Sequence, residues 1–363
     1  MCIRDRDFLS GDKSLDDILI RPKESYDKAD VIMKLATRVI SLDPADKKII
    51  TDKDGTISYD KLILATGARV RKLPIPGADS ENVFYLRNTK DVQAIKAKVA
   101  AGKKAVIIGG GYIGLETAAS LTKSGMRVTV LEAMDRILQR VTAPVMSDFY
   151  RRIHTEEGIC IVENEMASEI IADSGLNVKT KSGNSYPADM VIIGIGVIPN
   201  VELAKEAGLE VGNGIVVNEF CQTSDSDIYA CGDVTWHHNP IYDTHLRLES
   251  VPNATEQAKV AAAHINGKGK PYNSLPWFWS DQFDLKLQIA GLFQGYDEIV
   301  LRGNPAEGRS LAAFYFKGDR LLAVDAVNSP REFMMTRMVL TKGQSLDKAK
   351  LADPIADLKS AIV

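Results

Sequence analysis

The segment Val106-Ile107-Ile108-Gly109-Gly110-Gly111-Tyr112-Ile113-Gly114-Leu115-Glu116 constrains the fold more than any other. An apolar, strand-like run feeds directly into Gly-x-Gly-x-x-Gly, and a helical pattern follows. A dinucleotide pyrophosphate requires this arrangement. Gly109 permits the tight turn, Gly111 lets the backbone approach the phosphates, and Gly114 lets helix and strand pack closely. The helix N-terminus, with Ile113 in its first turn, then offers N–H groups and a positive dipole end to the anion. The motif lies about a third of the way along the 363 residues rather than at the start.

Residues 115–124 read as an amphipathic helix ended near Gly125, and 126–132 as a buried strand, which makes a βαβ unit. Glu132 closes its second strand. A carboxylate there accepts hydrogen bonds from the adenosine ribose hydroxyls and repels a 2′-phosphate, which favours NADH over NADPH. Arg136 and Arg140 follow closely and argue the other way, and a solvated strand end is the plainer reading of Glu132.

A weak internal repeat surrounds this unit. Short strand-like runs at 39–42 and 48–51, a Gly turn at Gly55 and the apolar run Leu62-Ile63-Leu64 leading to Thr66-Gly67 form the first copy. Runs at 167–171 and 177–180, a turn at Gly183 and the apolar run Val191-Ile192-Ile193 leading to Gly196 form the second. Asp60 stands seven positions before Gly67, as Asp189 does before Gly196. Two similar nucleotide-binding domains are implied, each with a β-meander before its last strand. In the second copy Gly109 stands 74 residues before Gly183. The same spacing puts a first glycine loop before Met1, so the first domain is expected to be incomplete, its opening βαβ unit missing.

Downstream, Ile228-Tyr229-Ala230-Cys231-Gly232-Asp233 ends a short apolar strand in Gly-Asp. Gly-Asp is a common turn, but a carboxylate just past a buried strand can also bind a sugar or ribityl hydroxyl. Ser250-Val251-Pro252-Asn253-Ala254 opens a helical stretch over 255–265, with proline in the first turn. From Ser274 the texture changes. Trp277-Phe278-Trp279-Ser280-Asp281-Gln282 concentrates aromatics, and strand-like runs at 287–290, 298–302, 311–316 and 320–327 precede a helix over 332–341. This reads as an α+β domain, with core packing the plainer role for its tryptophans.

Composition excludes several classes. A net charge of −3 favours neither nucleic acid nor an anionic membrane surface, and no apolar run reaches spanning length. The four cysteines Cys2, Cys160, Cys221 and Cys231 are scattered, with no Cys-x-x-Cys, so neither a metal site nor a redox disulfide is indicated. Few, dispersed cysteines fit a reducing cytoplasm.

Together these motifs resemble the FAD-dependent NADH–ferredoxin reductases of bacterial oxygenase systems, the putidaredoxin reductase and rhodocoxin reductase family. The resemblance rests on 109–116, Arg140-Val141-Thr142-Ala143-Pro144, Gly194-Ile195-Gly196-Val197-Ile198-Pro199-Asn200, Gly232-Asp233, Glu249-Ser250-Val251-Pro252-Asn253-Ala254 and the 277–282 run. It implies an α/β architecture of two Rossmann-like domains of glutathione-reductase type, the first incomplete, plus a C-terminal α+β domain. The expected division is 1–82 and 202–273 for FAD, 83–201 for NADH, and 274–363 for the C-terminal domain. Thr66, Gly67 and Arg69 would contact the flavin, Asp233 the ribityl chain and Val251 the flavin ring. Glu116 would orient the nicotinamide, Arg140 and Gly196 would line the NADH site, and Trp279 would lie where a ferredoxin docks. Arg6 stands where the family usually carries lysine, and the family's own opening glycine loop is absent, which implies an N-terminally truncated chain.

The implied activity is electron transfer from NADH through FAD to a separate [2Fe–2S] ferredoxin, in a monomer or weak dimer. The sequence contains no iron–sulfur ligand set, so the cluster would sit on the partner. Two alternatives remain open: an NADH oxidase, peroxidase or disulfide reductase of the same fold, or a non-catalytic NADH-binding fragment.

Overall fold

A computed structural model of the chain describes residues 8–11, 13–173 and 175–363; Arg6 and Cys2 lie outside the described residues. The chain forms two compact units. One comprises the described part of Met1–Ile18 with Val70–Gly196 and Trp279–Val363, the other Leu19–Arg69 with Val197–Phe278.

The first unit is built on a five-stranded sheet in the order Val83–Tyr85, Met190–Ile193, Lys104–Ile108, Arg127–Leu131, Cys160–Val162, every neighbouring pair parallel. Its central strands are near-continuous apolar runs because helices cover parallel sheets. Helix Tyr112–Lys123 makes the crossover between Lys104–Ile108 and Arg127–Leu131, and Pro144–Glu156 makes the next. The first of these buries every residue from Gly114 to Leu121. A second, antiparallel sheet runs in the order Trp277–Gln282, Leu285–Gly291, Arg320–Val327, Leu311–Lys317, Glu298–Arg302, with helix Pro330–Thr341 packed against two of its strands. One apolar cluster joins the two sheets, from Ile107, Leu115 and Val130 to Leu285, Ala313 and Val327.

In the second unit, Leu62–Leu64 pairs in parallel with Ile228–Ala230. A three-stranded sheet (Ile215–Val217, Thr235–Asn239, Thr244–Leu246) and helix Val251–Ile265 complete its main elements. Leu42, Leu64, Ile215, Ile228 and Val234 form its core.

The internal repeat is structural. Val39–Asp43, Lys48–Thr51 and Gly55–Ser58 form one antiparallel meander, and Ala167–Ala172, Leu176–Thr180 and Ser185–Ala188 form the other. Both slip register at the same point, between Val39 and Ser41 and between Ala167 and Glu169. Gly67 and Gly196, each three residues past the strand that follows its meander (Leu62–Leu64 and Met190–Ile193), both take a positive φ. Among the described residues no helix is long and apolar enough to cross a membrane.

Candidate functional site

The glycine loop leaves strand Lys104–Ile108 and enters helix Tyr112–Lys123. Gly109 has φ +113°, and a side chain on it would collide with the Gly194 carbonyl. A Cβ on Gly114 would overlap the Gly109 carbonyl oxygen. A Cβ on Gly111 would meet nothing within 4 Å, and Gly111 is extended, at φ −79° and ψ 179°. No side chain of the N-cap residue caps the helix it opens, and Gly111 lines a cavity. That is the geometry an anion-binding turn needs.

Gly110, to which the sequence reading gave no role, has one. Its N–H donates to Glu132 Oε2 at 2.7 Å, and the Met134 N–H donates to Oε1 at 2.9 Å. A Cβ at Gly110 would come within 2.7 Å of Ile137 and 3.1 Å of Glu132 Oε2. Glu132 is therefore held rigidly beside the loop instead of trailing in solvent. A carboxylate has about four acceptor positions, so two bonds leave capacity for ribose hydroxyls.

A cavity of about 640 Å³ opens here, lined by Gly109, Gly111, Glu132, Arg140, Glu165 and Ile195, among others. The Ser182 hydroxyl donates to Glu165, and with Thr180 it holds that carboxyl below its usual range. Arg136 also lines the cavity, but its guanidinium is committed to Ser147 Oγ at 2.6 Å and the Gln139 carbonyl at 3.0 Å. The Arg140 guanidinium lies 3.7 Å from where a Gly196 Cβ would stand. Ile113 packs, partly buried, against the core beside the loop.

Further along the same helix, Glu116 is only 4 % exposed. The hydroxyl of Ser280, on strand Trp277–Gln282, donates to its Oε1 at 2.6 Å. Trp279 sits on that strand, half-buried.

In the second unit, two loops leave the carboxyl ends of the parallel pair Leu62–Leu64 and Ile228–Ala230, where ligands of open α/β sheets bind. The first carries Thr66, Gly67 and Arg69, all clasped to Asn200. The Thr66 hydroxyl donates to the Asn200 carbonyl at 2.8 Å, Asn200 Nδ2 to the Thr66 carbonyl at 2.8 Å, and Arg69 Nη1 to Asn200 Oδ1 at 2.9 Å. Arg69 also pairs with Glu202 at 2.8 Å. In the sequence Asn200 is only the last letter of the 194–200 run; its two-way amide makes it the hub of this loop.

The second loop carries Gly232 and Asp233. The Gly232 N–H donates to Gln257 Oε1 at 2.8 Å, and Ala254 packs against the glycine. Helix Val251–Ile265 is thereby fixed with Ser250 capping its N-terminus and Val251 47 % exposed beside the loop. Behind it, His237 is buried, and burial lowers its imidazole to about 4, so it is neutral at pH 7. These strand-end loops, with half-buried Asp233 and an exposed helix start at Val251, fit a nucleotide's polyol and ring. The cysteines of this unit do not suit thiol chemistry: burial pushes Cys221 up to about 12 and raises Cys231. Among the described residues no cluster of His, Cys, Asp and Glu is placed to hold a metal.

Residues 4–258 match the family model described as pyridine nucleotide-disulphide oxidoreductase, and 277–362 match that described as reductase C-terminal. Putidaredoxin reductase of Pseudomonas putida is 40% identical over 362 residues, covering 98% of this chain and 86% of that protein. The ferredoxin–NAD(+) reductase component of the anthranilate 1,2-dioxygenase system of Burkholderia cepacia is 39% identical over 364 residues, covering 98% and 89%. The crystal structure of the covalent putidaredoxin reductase–putidaredoxin complex superposes with a TM-score of 0.95 at 39% identity, covering 99% of this chain and 87% of that one.

Proposed function

This chain belongs to the pyridine nucleotide-disulphide oxidoreductase family, and we propose that within it the chain is an NADH–ferredoxin reductase. It passes electrons from NADH through FAD to a separate [2Fe–2S] ferredoxin that feeds an oxygenase. The observation that carries this reading is the glycine loop with Glu132 locked against Gly110 over an open cavity. The loop is matched in the second unit by strand-end loops suited to a second nucleotide.

Gly109, Gly111 and Gly114 receive the NADH pyrophosphate, with Ile113 packing beneath it. Glu132 accepts from the adenosine ribose, while Arg140 and Gly196 line the same site. With Arg136 engaged elsewhere and Glu165 ionised in the wall, two carboxylates, Glu132 and Glu165, disfavour a 2′-phosphate, and Arg140 is the guanidinium left to oppose them. Glu116 orients the nicotinamide. Thr66, Gly67, Arg69, Asp233 and Val251 hold FAD, and Trp279 lies where the ferredoxin docks. FAD, when bound, accepts two electrons from NADH and releases them singly, which a one-electron acceptor requires. The protein's own part is positioning: Asn200 fixes the Thr66–Arg69 loop, and Gln257 fixes Gly232 against its helix. A monomer or weak dimer in the cytoplasm completes the proposal.

The test is the visible spectrum of the purified full chain, before and after anaerobic NADH, followed by addition of a [2Fe–2S] ferredoxin and cytochrome c. The expected result is flavin absorbance bleached by NADH and cytochrome c reduction that depends on the ferredoxin. Oxygen consumption with no ferredoxin-dependent reduction would assign an oxidase instead, and a colourless protein that binds NADH would assign a fragment without redox activity.

A further inference from the structure

Four side chains from three elements of the first unit form one buried hydrogen-bonded line. Glu116 comes from helix Tyr112–Lys123, His154 from helix Pro144–Glu156, and Ser280 and Gln282 from strand Trp277–Gln282. Ser280 and Gln282 are two residues apart on a strand, so they share a face. They are 1 % and 0 % exposed, while His154 is 0 % and Glu116 4 %. The His154 Nε2 lies 2.7 Å from Gln282 Oε1, Gln282 Nε2 lies 3.1 Å from Ser280 Oγ, and Ser280 Oγ lies 2.6 Å from Glu116 Oε1.

The bonds of this line run in one direction, towards Glu116. The Ser280 hydroxyl has one proton, and it is donated to Glu116 Oε1. Ser280 Oγ must then accept from the Gln282 amide, which turns the Gln282 carbonyl towards His154. That carbonyl needs a donor, so His154 carries its proton on Nε2. Burial holds the imidazole at about 4, so it is neutral at pH 7 and has only that one ring proton. Nδ1 is then the lone-pair nitrogen, and it has no hydrogen-bond partner among the described residues.

We infer that Ser280, locked by Gln282 and His154, is a positioning residue that fixes the Glu116 carboxylate in the orientation in which it meets the nicotinamide. The terminal torsion of a glutamate is intrinsically broad. One short bond to Oε1, 2.6 Å long, narrows it. Placing a reacting ring depends on such restriction, because small misplacements cost rate steeply. The inference rests on the proposed role of Glu116.

The experiment is stopped-flow reduction of the holoprotein by NADH under anaerobic conditions, with Ser280→Ala, Ser280→Thr, Glu116→Ala and the double variant Glu116→Ala/Ser280→Ala. Ser280→Ala is expected to slow the limiting reduction rate roughly tenfold, the order of one buried hydrogen bond. The NADH concentration for half-maximal rate should move by less than about threefold, because the pyrophosphate loop is untouched. Ser280→Thr keeps the hydroxyl and should restore most of the rate. In the Glu116→Ala background, Ser280→Ala should add nothing, since its effect passes through the missing carboxylate. A normal rate in Ser280→Ala, or an undiminished loss in the double variant, would overturn the inference while leaving Glu116 in place. A normal rate in Glu116→Ala would overturn the role of Glu116 itself, and this inference with it. If Ser280→Ala does not fold, Gln282→Met replaces it, since it frees the hydroxyl to rotate; an unchanged rate in that variant, or a loss that persists without Glu116, is equally fatal.

Discussion

Gly111 and Gly114 stand three residues apart in one motif, yet the structure assigns their missing side chains to opposite purposes. A Cβ at Gly114 would sit well inside 3.0 Å of the Gly109 carbonyl oxygen, a separation real Cβ atoms essentially never show, and that oxygen is backbone. Gly114→Ala must therefore push the helix start off the strand it packs on. Overpacking of this kind costs about 3 kcal/mol. At roughly 2–4 °C per kcal/mol for a unit of this size, the melting temperature should fall by about 6–12 °C. Gly111→Ala meets no atom within 4 Å, and its backbone is one any residue adopts. Its stability cost is that of a poorer N-cap, about 1 kcal/mol or less. Its methyl occupies the space the pyrophosphate would approach, and losing one hydrogen bond to a charged group there is worth roughly 10- to 100-fold in NADH affinity. The assay is a thermal melt of each variant without NADH, paired with the NADH dependence of flavin reduction. The expected pattern is a large melting shift with Gly114→Ala and a large NADH shift at near-normal stability with Gly111→Ala. Wild-type NADH affinity in Gly111→Ala would refute the placement of the pyrophosphate, and a wild-type melt in Gly114→Ala would refute the packing argument.

Two further predictions follow from buried or clamped carboxylates. Glu132→Ala should lower kcat/KM for NADH roughly tenfold and narrow the preference over NADPH, as measured by initial rates with each nucleotide, because a ribose acceptor of the charged kind is lost; it should also lower the melting temperature, since the Gly110 and Met134 amides lose their acceptor. Asp325 is raised to about 6 by burial, although the Thr142 and Tyr315 hydroxyls both donate to it. Between the ordinary value of 3.8 and about 6 the folded chain keeps a proton that the unfolded chain releases, so this group's contribution falls as pH rises through that window and is fully lost above it. That amounts to about 3 kcal/mol. Asp325→Asn cannot titrate, so melts of both proteins at pH 5 and pH 8 should show the variant gaining on the parent at the higher pH, and a gap independent of pH would sink the assignment.

What the sequence made legible was local. Strand periodicity located Glu298–Arg302 and Arg320–Val327 at their observed bounds, because alternating or continuous apolar runs report which faces are buried. The two meanders were readable as a repeat from glycine and aspartate spacing, but their shared register slip was not, since a bulge leaves no composition signal in either Val39–Asp43 or Ala167–Ala172. Contacts across long stretches of chain were invisible. Ser280 reaches Glu116 across 164 positions and Asp325 reaches Thr142 across 183. The run at 277–282 drew attention through its tryptophans, whereas its deepest residues are Ser280 and Gln282. A signal was present: two polar residues at period two, on one face of a strand otherwise rich in aromatics, mark a buried polar line rather than a solvent edge.

The glycine loop itself illustrates how far a motif speaks of fold before it speaks of ligand. Three of its four glycines are required by atoms of this chain: Gly109 by the Gly194 carbonyl, Gly110 by Ile137 and Glu132, and Gly114 by the Gly109 carbonyl. A chain that used this turn only to close a βαβ unit would need all three. Gly111 alone answers to nothing in the protein, so it alone is evidence that something else arrives there. The same logic separates Glu132 from an ordinary strand end. Its two backbone bonds are made to Gly110 and Met134, and the first is possible only because position 110 has no side chain. The acid is thus built into the loop by backbone bonds of this chain, so its position is set by the fold rather than by how the side chain moves.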